Sequence, residues 1–259
     1  MSEPSAKKAR TTPLYTLVYW PTLPGRGEFI RLVLEATATP YTDICNRPKP
    51  DRGPVMDALN SETNPAFAPP LLKVAGEGKD GAELVLYQTP NILLYLGEKL
   101  GLAGSEEADK WAVNAYALTA LDLNNEAHDS HHPIANILYY EDQKEEALKK
   151  AKNVREIRIP KFFSFFERVL KSNEKAGQGK HLVGEKLTFA DTTLWHVVNG
   201  LQFAFPKEIE ARKADYPLLF DTFYPAVKEQ EHLKEYLASE RRLPYGQGIF
   251  RHYPELDRQ

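Results

Sequence analysis

The chain has 259 residues, of which 42% are hydrophobic and 27% charged, as is typical of a globular protein with one large domain or two modest ones. Its net charge of −3, with both signs interspersed, argues against nucleic acid or an acidic membrane as a partner. No apolar run is long enough to span a bilayer. The single cysteine, Cys45, excludes an internal disulfide framework and fits a reducing cytoplasm.

Residues 1–13 are predicted to form a disordered tail, because they are polar and lack the apolar core of a signal peptide. The short basic run at residues 7–10 leaves a nuclear address as an alternative interpretation. We otherwise expect a cytoplasmic protein.

Strand and helix signals alternate in the first part of the chain. β-branched and aromatic residues at 15–20 predict a strand, and helix formers with periodic apolar residues at 28–36 predict a helix after it. A short second strand is expected at 40–44. Prolines are frequent at 46–70, where we predict only a short helix at 55–59.

A hairpin and another helix follow. Apolar runs at 70–74 and 83–87 flank a glycine-rich turn, which predicts two antiparallel strands. The order strand, helix, strand, helix, strand, strand, helix is that of a thioredoxin-like α/β unit.

The start of the last helix in this unit is well specified by its sequence. Thr89 is a suitable N-cap, Pro90 a suitable first helical residue, and an apolar run begins at Ile92. The unpaired N–H groups and the positive dipole end of such a helix together form an anion site. Gln88, a polar residue beside this site, is placed to help bind a carboxylate.

The remainder of the chain carries almost wholly helical signals. We therefore predict an α/β thioredoxin-like N-terminal domain at residues 14–103 and an all-α helical C-terminal domain at residues 106–259. Within the latter, Thr188 and Asp191 have the spacing of a capping box, with Asp in place of the usual Glu or Gln.

Six short motifs, in this order, resemble those of the cytosolic glutathione transferases of the tyrosine type, nearest the pi and sigma classes. The resemblance runs from residue 14 to residue 244 and spans both predicted domains. The motifs are YTLVYWP at 15–21, GRGEFIR at 25–31, AP at 68–69, LYQT at 86–89, LYLG at 94–97 and VGEKLTFAD at 183–191.

The resemblance implies an enzyme that ionises glutathione, its co-substrate, and adds the sulfur to a hydrophobic electrophile in detoxification. Tyr19 is expected to donate its phenolic O–H to the sulfur, which favours the thiolate. Gln88 and Thr89 are expected to hold the γ-glutamyl carboxylate. Pro69 is expected to be a cis proline that exposes the backbone of Ala68 to the cysteinyl part of glutathione, with the adjacent Pro70 or an ordinary trans loop as the alternatives.

Further residues follow from the same resemblance. Arg26 is expected to reach the site from the first helix, and Asp122 to approach the amino group of glutathione in the partner subunit of a homodimer. The electrophile pocket is expected to include Trp20 and either Tyr139 or Tyr140. For each of these side chains the alternative is a packing or solvated role.

Two departures from the family pattern concern the site. One extra residue separates Tyr19 from the Gly-Arg pair that ends at Arg26, so the loop over the sulfur is expected to differ in shape. Contacts to the glycine carboxylate within residues 44–69 stay unassigned, with Arg47, Lys49 and Arg52 as candidates.

Other functions remain open at this point. A glutathione-dependent isomerase or peroxidase would share the activation step, and a non-catalytic ligand-binding or structural member would keep only the fold. No metal is expected, because His128, His131 and His132 lack zinc-ligand spacing and fit a helix end better.

Overall fold

The structure is a computed structural model that describes residues 14–259. The first part of the chain forms a four-stranded mixed sheet. The predicted tail at residues 1–13 lies outside the described residues. The sheet order is β2-β1-β3-β4, with β1 parallel to β2 and antiparallel to β3, and β3 antiparallel to β4. The strands are β1 Tyr15–Val18, β2 Tyr41–Asp43, β3 Leu71–Val74 and β4 Leu84–Tyr87.

Three helices cover this sheet. They are α1 Gly27–Ala36, α2 Gly53–Leu59 and α3 Thr89–Leu100. Helices α1 and α3 pack against each other, while Val55 of α2 shares a small separate core with Val18, Cys45 and Leu71. Cys45 is fully buried there.

The rest of the chain is helical. Its helices are α4 Glu107–Asp129, α5 Lys144–Asn153, α6 Ile159–Ser172, α7 Glu174–Gly177, α8 Phe189–Ala204, α9 Pro206–Arg212, α10 Tyr224–Lys228 and α11 Glu231–Leu237. A π-helical segment, Val154–Arg158, joins α5 to α6, and a second one, Leu218–Phe223, leads into α10. No helix within residues 14–259 is both long and apolar enough to cross a membrane.

Helix α8 lies at the centre of the helical part and packs along α4. Its start is the predicted capping box: Thr188 N–H and its hydroxyl both donate to Asp191 Oδ2, at 2.7 and 2.8 Å. Asp191 also accepts the N–H of Leu182, so this fully buried carboxylate satisfies three donors. The capping-box prediction is confirmed, as is the predicted fold of a thioredoxin-like unit followed by helices.

Candidate functional site

Tyr19 follows the end of β1 and lies under a glycine-flanked loop. Its hydroxyl oxygen accepts the N–H of Arg26 at 2.8 Å, and the side chain is 6% exposed. A Cβ atom at Gly25, where φ is +43°, would lie 2.2 Å from this oxygen, and one at Gly27 would lie 2.7 Å from the ring. Only glycine therefore permits this approach of the loop to the phenol.

The buried position decides the protonation state of Tyr19. Burial raises its pKa above the ordinary value of 10.0, and the N–H and guanidinium of Arg26 oppose this only in part. The group is thus a neutral phenol at neutral pH, suited to donate a hydrogen bond and not to act as a base. Within residues 14–259, no acceptor takes its proton, since its only hydrogen bond is the one it accepts.

The start of α3 is the predicted anion site, with one correction. The helix begins at Thr89, so Gln88 and not Thr89 is the N-cap, and Pro90 is the second helical residue. Gln88 has φ 70° and ψ 117°, a backbone conformation rarely adopted outside glycine, which turns the strand sharply into the helix. Such strain at a non-glycine residue is typical of binding sites.

The hydroxyl of Thr89 is buried without a partner. Thr89 is 4% exposed, and its Oγ1 makes no hydrogen bond within the described residues. The N–H groups in the first turn of α3 also lack intrahelical acceptors. Pro90 does not contribute to this set, because proline has no backbone N–H. A buried hydroxyl costs free energy unless it finds a partner, so this helix end is ready to receive an anionic group.

A cleft of about 510 Å³ opens at this helix start. It brings together six of the predicted glutathione-binding residues: Arg26, Ala68, Pro69, Gln88, Thr89 and Asp122. Tyr19, the seventh, is not part of the lining; it lies behind Arg26, whose backbone touches it. The remaining lining residues were not predicted: Phe67, Pro70, Pro90, Leu118, Leu121, Asn125 and Asn136.

Arg26 connects the phenol to the opposite wall of the cleft. Its N–H binds the Tyr19 oxygen, while its Nη2 donates to Asn125 Oδ1 on α4 at 2.8 Å. Asn125 lies one turn beyond Asp122 on the same helix face, so this spacing is the sequence signal that would have identified it.

The predicted cis proline is one residue out of position. The cis bonds are Arg47–Pro48 and Pro69–Pro70, so Pro70 and not Pro69 is the cis proline at the cleft. The prediction was wrong because adjacent prolines give the same sequence signal. Pro69 offers a carbonyl but no N–H, and the nearest preceding backbone donor is the N–H of Ala68.

The predicted electrophile residues lie outside the cleft. Trp20 is half-buried against both cores. Tyr140 is buried, stacks on Tyr253 at 4.0 Å and donates to Glu255, so it packs the C-terminal segment and faces no open site. Tyr139 is 74% exposed and does not line the cleft, although Asn136, three residues earlier, does.

Three histidines cluster at the end of α4. The ring centroids of His128, His131 and His132 lie 4.6 to 5.4 Å apart, and His131 Nε2 lies 2.9 Å from the Ile249 carbonyl. Burial, reinforced by the other imidazoles, lowers the pKa of His131 to about 3, so it is neutral at physiological pH. No group of three metal-binding side chains among residues 14–259 is arranged to hold an ion.

Known proteins resemble this chain in sequence and in fold. A family model described as "Glutathione S-transferase, C-terminal domain" matches residues 128–240. Glutathione S-transferase P 1 of Xenopus laevis is 29% identical over 232 residues, covering 89% of this chain and 94% of that protein. Glutathione S-transferase Mu 4 of Homo sapiens is 28% identical over 236 residues, covering 88% and 93%.

Solved structures agree on the fold. The sigma class GST of Fasciola hepatica has a TM-score of 0.67 at 21% identity, covering 90% of this chain and 99% of that one. The pi-class glutathione S-transferase of Onchocerca volvulus has a TM-score of 0.62 at 21% identity, covering 86% and 91%.

Proposed function

Because this chain belongs to the glutathione S-transferase superfamily and is a glutathione transferase, we propose that Tyr19 activates glutathione for addition to a hydrophobic electrophile. One observation carries the proposal. The Tyr19 oxygen accepts the Arg26 N–H, which fixes the phenol and leaves its own proton for an external acceptor. A thiolate sulfur at this wall of the cleft would be that acceptor.

Hydrogen bonding from the phenol would shift the ionisation of the thiol. A free thiol has a pKa of about 8.5, so only a few per cent is thiolate near pH 7. A hydrogen bond to the anion lowers this pKa, and each unit corresponds to about 1.4 kcal/mol. A lone pair of the thiolate sulfur then forms a bond to the electrophilic carbon. The electron pair of the bond that breaks at this carbon passes to the neighbouring acceptor atoms or to the leaving group, and no covalent enzyme intermediate forms.

Glutathione would lie across the floor of the cleft. We place its γ-glutamyl carboxylate at the Thr89 hydroxyl and the free N–H groups of α3, beside Gln88. Its cysteinyl backbone would meet the segment at Ala68 and Pro69, where the Pro69 carbonyl accepts and the Ala68 N–H donates. Asp122, which is exposed on α4, would approach the amino group of glutathione bound in the partner subunit of a homodimer.

A homodimer in the cytoplasm is part of the proposal. Phe67 and Leu118, which line the cleft, are 88 and 42% exposed, and Trp111, on the same helix as Leu118, is 57% exposed. A second copy covering this surface would place the site near the subunit boundary. Within each subunit, we take residues 14–103 as the glutathione-binding domain and residues 106–259 as the helical domain.

The alternative functions share the first step. An isomerase or peroxidase would use the same thiolate and differ only in the second substrate. A non-catalytic member would not need the Tyr19 hydroxyl, since packing is served by the ring alone.

Calorimetric titration with glutathione and turnover of a chromogenic aryl halide test the proposal together. We expect binding that weakens in Thr89→Val and turnover that falls in Tyr19→Phe. Binding without turnover of aryl halides, peroxides or isomerisable ketones would favour a non-catalytic member, and light scattering would report the subunit count.

A further inference from the structure

Buried charges lie directly beneath the loop that holds Tyr19. Glu28 and Arg31 belong to α1, and their side chains are 0 and 1% exposed. Asp43 ends β2, and Arg242 follows α11 near the end of the chain. Two carboxylates and two guanidinium groups balance in charge, which makes their burial tolerable. With the buried hydroxyl of Tyr236, we call these five residues the charge cluster.

Arg31 ties the acids of the charge cluster to the backbone of the Tyr19 loop. Its Nε donates to Asp43 Oδ2 at 2.8 Å, and its Nη1 lies 3.2 Å from Glu28 Oε2. The same Nη1 lies 3.2 Å from the Pro24 carbonyl and 3.4 Å from that of Leu23. Two nitrogens of one planar guanidinium, Nε and Nη1, reach all four of these acceptors, whereas a lysine ammonium at the end of a flexible chain cannot.

The Pro24 carbonyl is the point at which the charge cluster meets the site. It also accepts the N–H of Glu28 at 2.9 Å, so it is fixed from two directions. Gly25, the next residue, contacts the Tyr19 hydroxyl, and Arg26 after it donates the N–H that the hydroxyl accepts. The path from Arg31 to the phenol is thus a short stretch of held backbone.

The C-terminal part of the chain holds the other side of the charge cluster. Tyr236 donates its hydroxyl proton to Glu28 Oε1 at 2.8 Å and is fully buried. Arg242 makes an ion pair with the same oxygen. Glu28 therefore links α1 to residues more than 200 positions later in the chain. The other oxygen of the same carboxylate contacts Arg31.

We infer that Arg31 is a positioning residue for the Tyr19 hydroxyl, and that Tyr236 and Arg242 support this role from the C-terminal segment. The inference rests on the proposed function of Tyr19. Arg31 touches neither glutathione nor the electrophile; it acts through the Pro24 carbonyl and the Arg26 N–H. Small displacements of a reacting group lower rates steeply, so the loop must be held closely.

Arg31→Lys tests this inference, with Arg155→Lys as the matched control. Arg155 is another largely buried arginine that binds a backbone carbonyl, that of Leu256 at 2.9 Å, and a buried acid, Glu208. Ultraviolet titration would measure the pKa of glutathione bound to each variant. We expect Arg31→Lys to raise it by about one unit and to lower kcat about tenfold, with a KM for glutathione within about twofold.

Arg155→Lys should lower the melting temperature without moving the thiol pKa. A folded Arg31→Lys with the wild-type thiol pKa would overturn the inference. If Arg31→Lys does not fold, Tyr236→Phe removes one hydroxyl from the charge cluster and should raise the thiol pKa by a smaller amount; no rise would overturn the inference.

Failure of the inference and failure of the proposed function give different results. If wild type and Arg31→Lys lower the pKa of the bound thiol equally, only the role of Arg31 is ruled out. A wild-type protein that binds glutathione without lowering the thiol pKa removes the role of Tyr19 and overturns both.

Discussion

The two walls of the cleft are built on different principles. The wall from the α/β unit is shaped by backbone: the turn at Gln88, the start of α3 and the loop held against Tyr19. The wall from α4 is one face of a helix, whose polar residues Asp122 and Asn125 are exposed. Groups fixed by buried contacts hold their positions when a ligand arrives, whereas an exposed side chain such as Asp122 must be ordered by it.

This contrast predicts which wall contributes more to glutathione binding and to thiol ionisation. Thiol ionisation and carboxylate binding should depend on the α/β wall, and substitutions on the α4 wall should have smaller effects.

Tyr19→Phe should lower kcat about 100-fold, because it removes a fixed donor from a charge that develops at sulfur. The ring would still pack against Gly25 and Gly27, so the fold should persist with a modest loss of stability from the unpaired Arg26 N–H. Steady-state kinetics at saturating glutathione, with thermal unfolding of both proteins, measure the two effects. Unchanged kcat would remove Tyr19 from catalysis.

Thr89→Val should weaken glutathione binding about tenfold, since a hydrogen bond from a buried hydroxyl to a carboxylate is lost while the side-chain volume is kept. The control is Thr119→Val on α4, where the hydroxyl donates to the Ala115 carbonyl within the helix. Calorimetry should show no change in affinity for the control. Equal affinities in all three proteins would mean that the anion binds elsewhere.

Asp122→Asn should weaken glutathione binding by only about threefold, because water and salt screen the charge of an exposed carboxylate. The difference between Asp122→Asn and wild type should shrink as the ionic strength of the assay rises. A loss as large as that of Thr89→Val would show that the α4 wall is as well ordered as the α/β wall.

The smallest effect is expected in the alkaline pH profile. Burial raises the Tyr19 pKa above 10.0, so its proton stays bound through the range in which the thiol ionises. The rate should rise with thiol ionisation and should not fall again below about pH 10 through loss of the Tyr19 proton. A descending limb below that pH, present in wild type and absent in Tyr19→Phe, would contradict a neutral phenol.

The α/β wall could be anticipated because its signals are local. A strand that turns into a helix at Thr89 leaves free N–H groups wherever it occurs. In the helical part, the capping box at Thr188 and Asp191 is an equally local signal for the start of α8. The family motifs added Tyr19, whose hydroxyl has no local signal at all.

The family resemblance supplied Asp122 of the α4 wall, but the exposed apolar residues of that wall could not be anticipated from the same information. Trp111, Leu118 and Leu121 form an apolar stripe at helical spacing, which by itself is typical of a buried face. The structure leaves Trp111 and Leu118 exposed, and only the arrangement of neighbouring elements decides this. The charge cluster could not be predicted from the sequence either, because Tyr236 and Arg242, which bind Glu28, lie more than 200 residues later in the chain.

An ultraviolet difference titration of glutathione bound to wild type and to Tyr19→Phe measures thiol ionisation at the site itself. The proposed mechanism predicts a thiolate signal at lower pH than for free glutathione, lost in Tyr19→Phe. Bound glutathione that ionises like the free thiol in both proteins would contradict it.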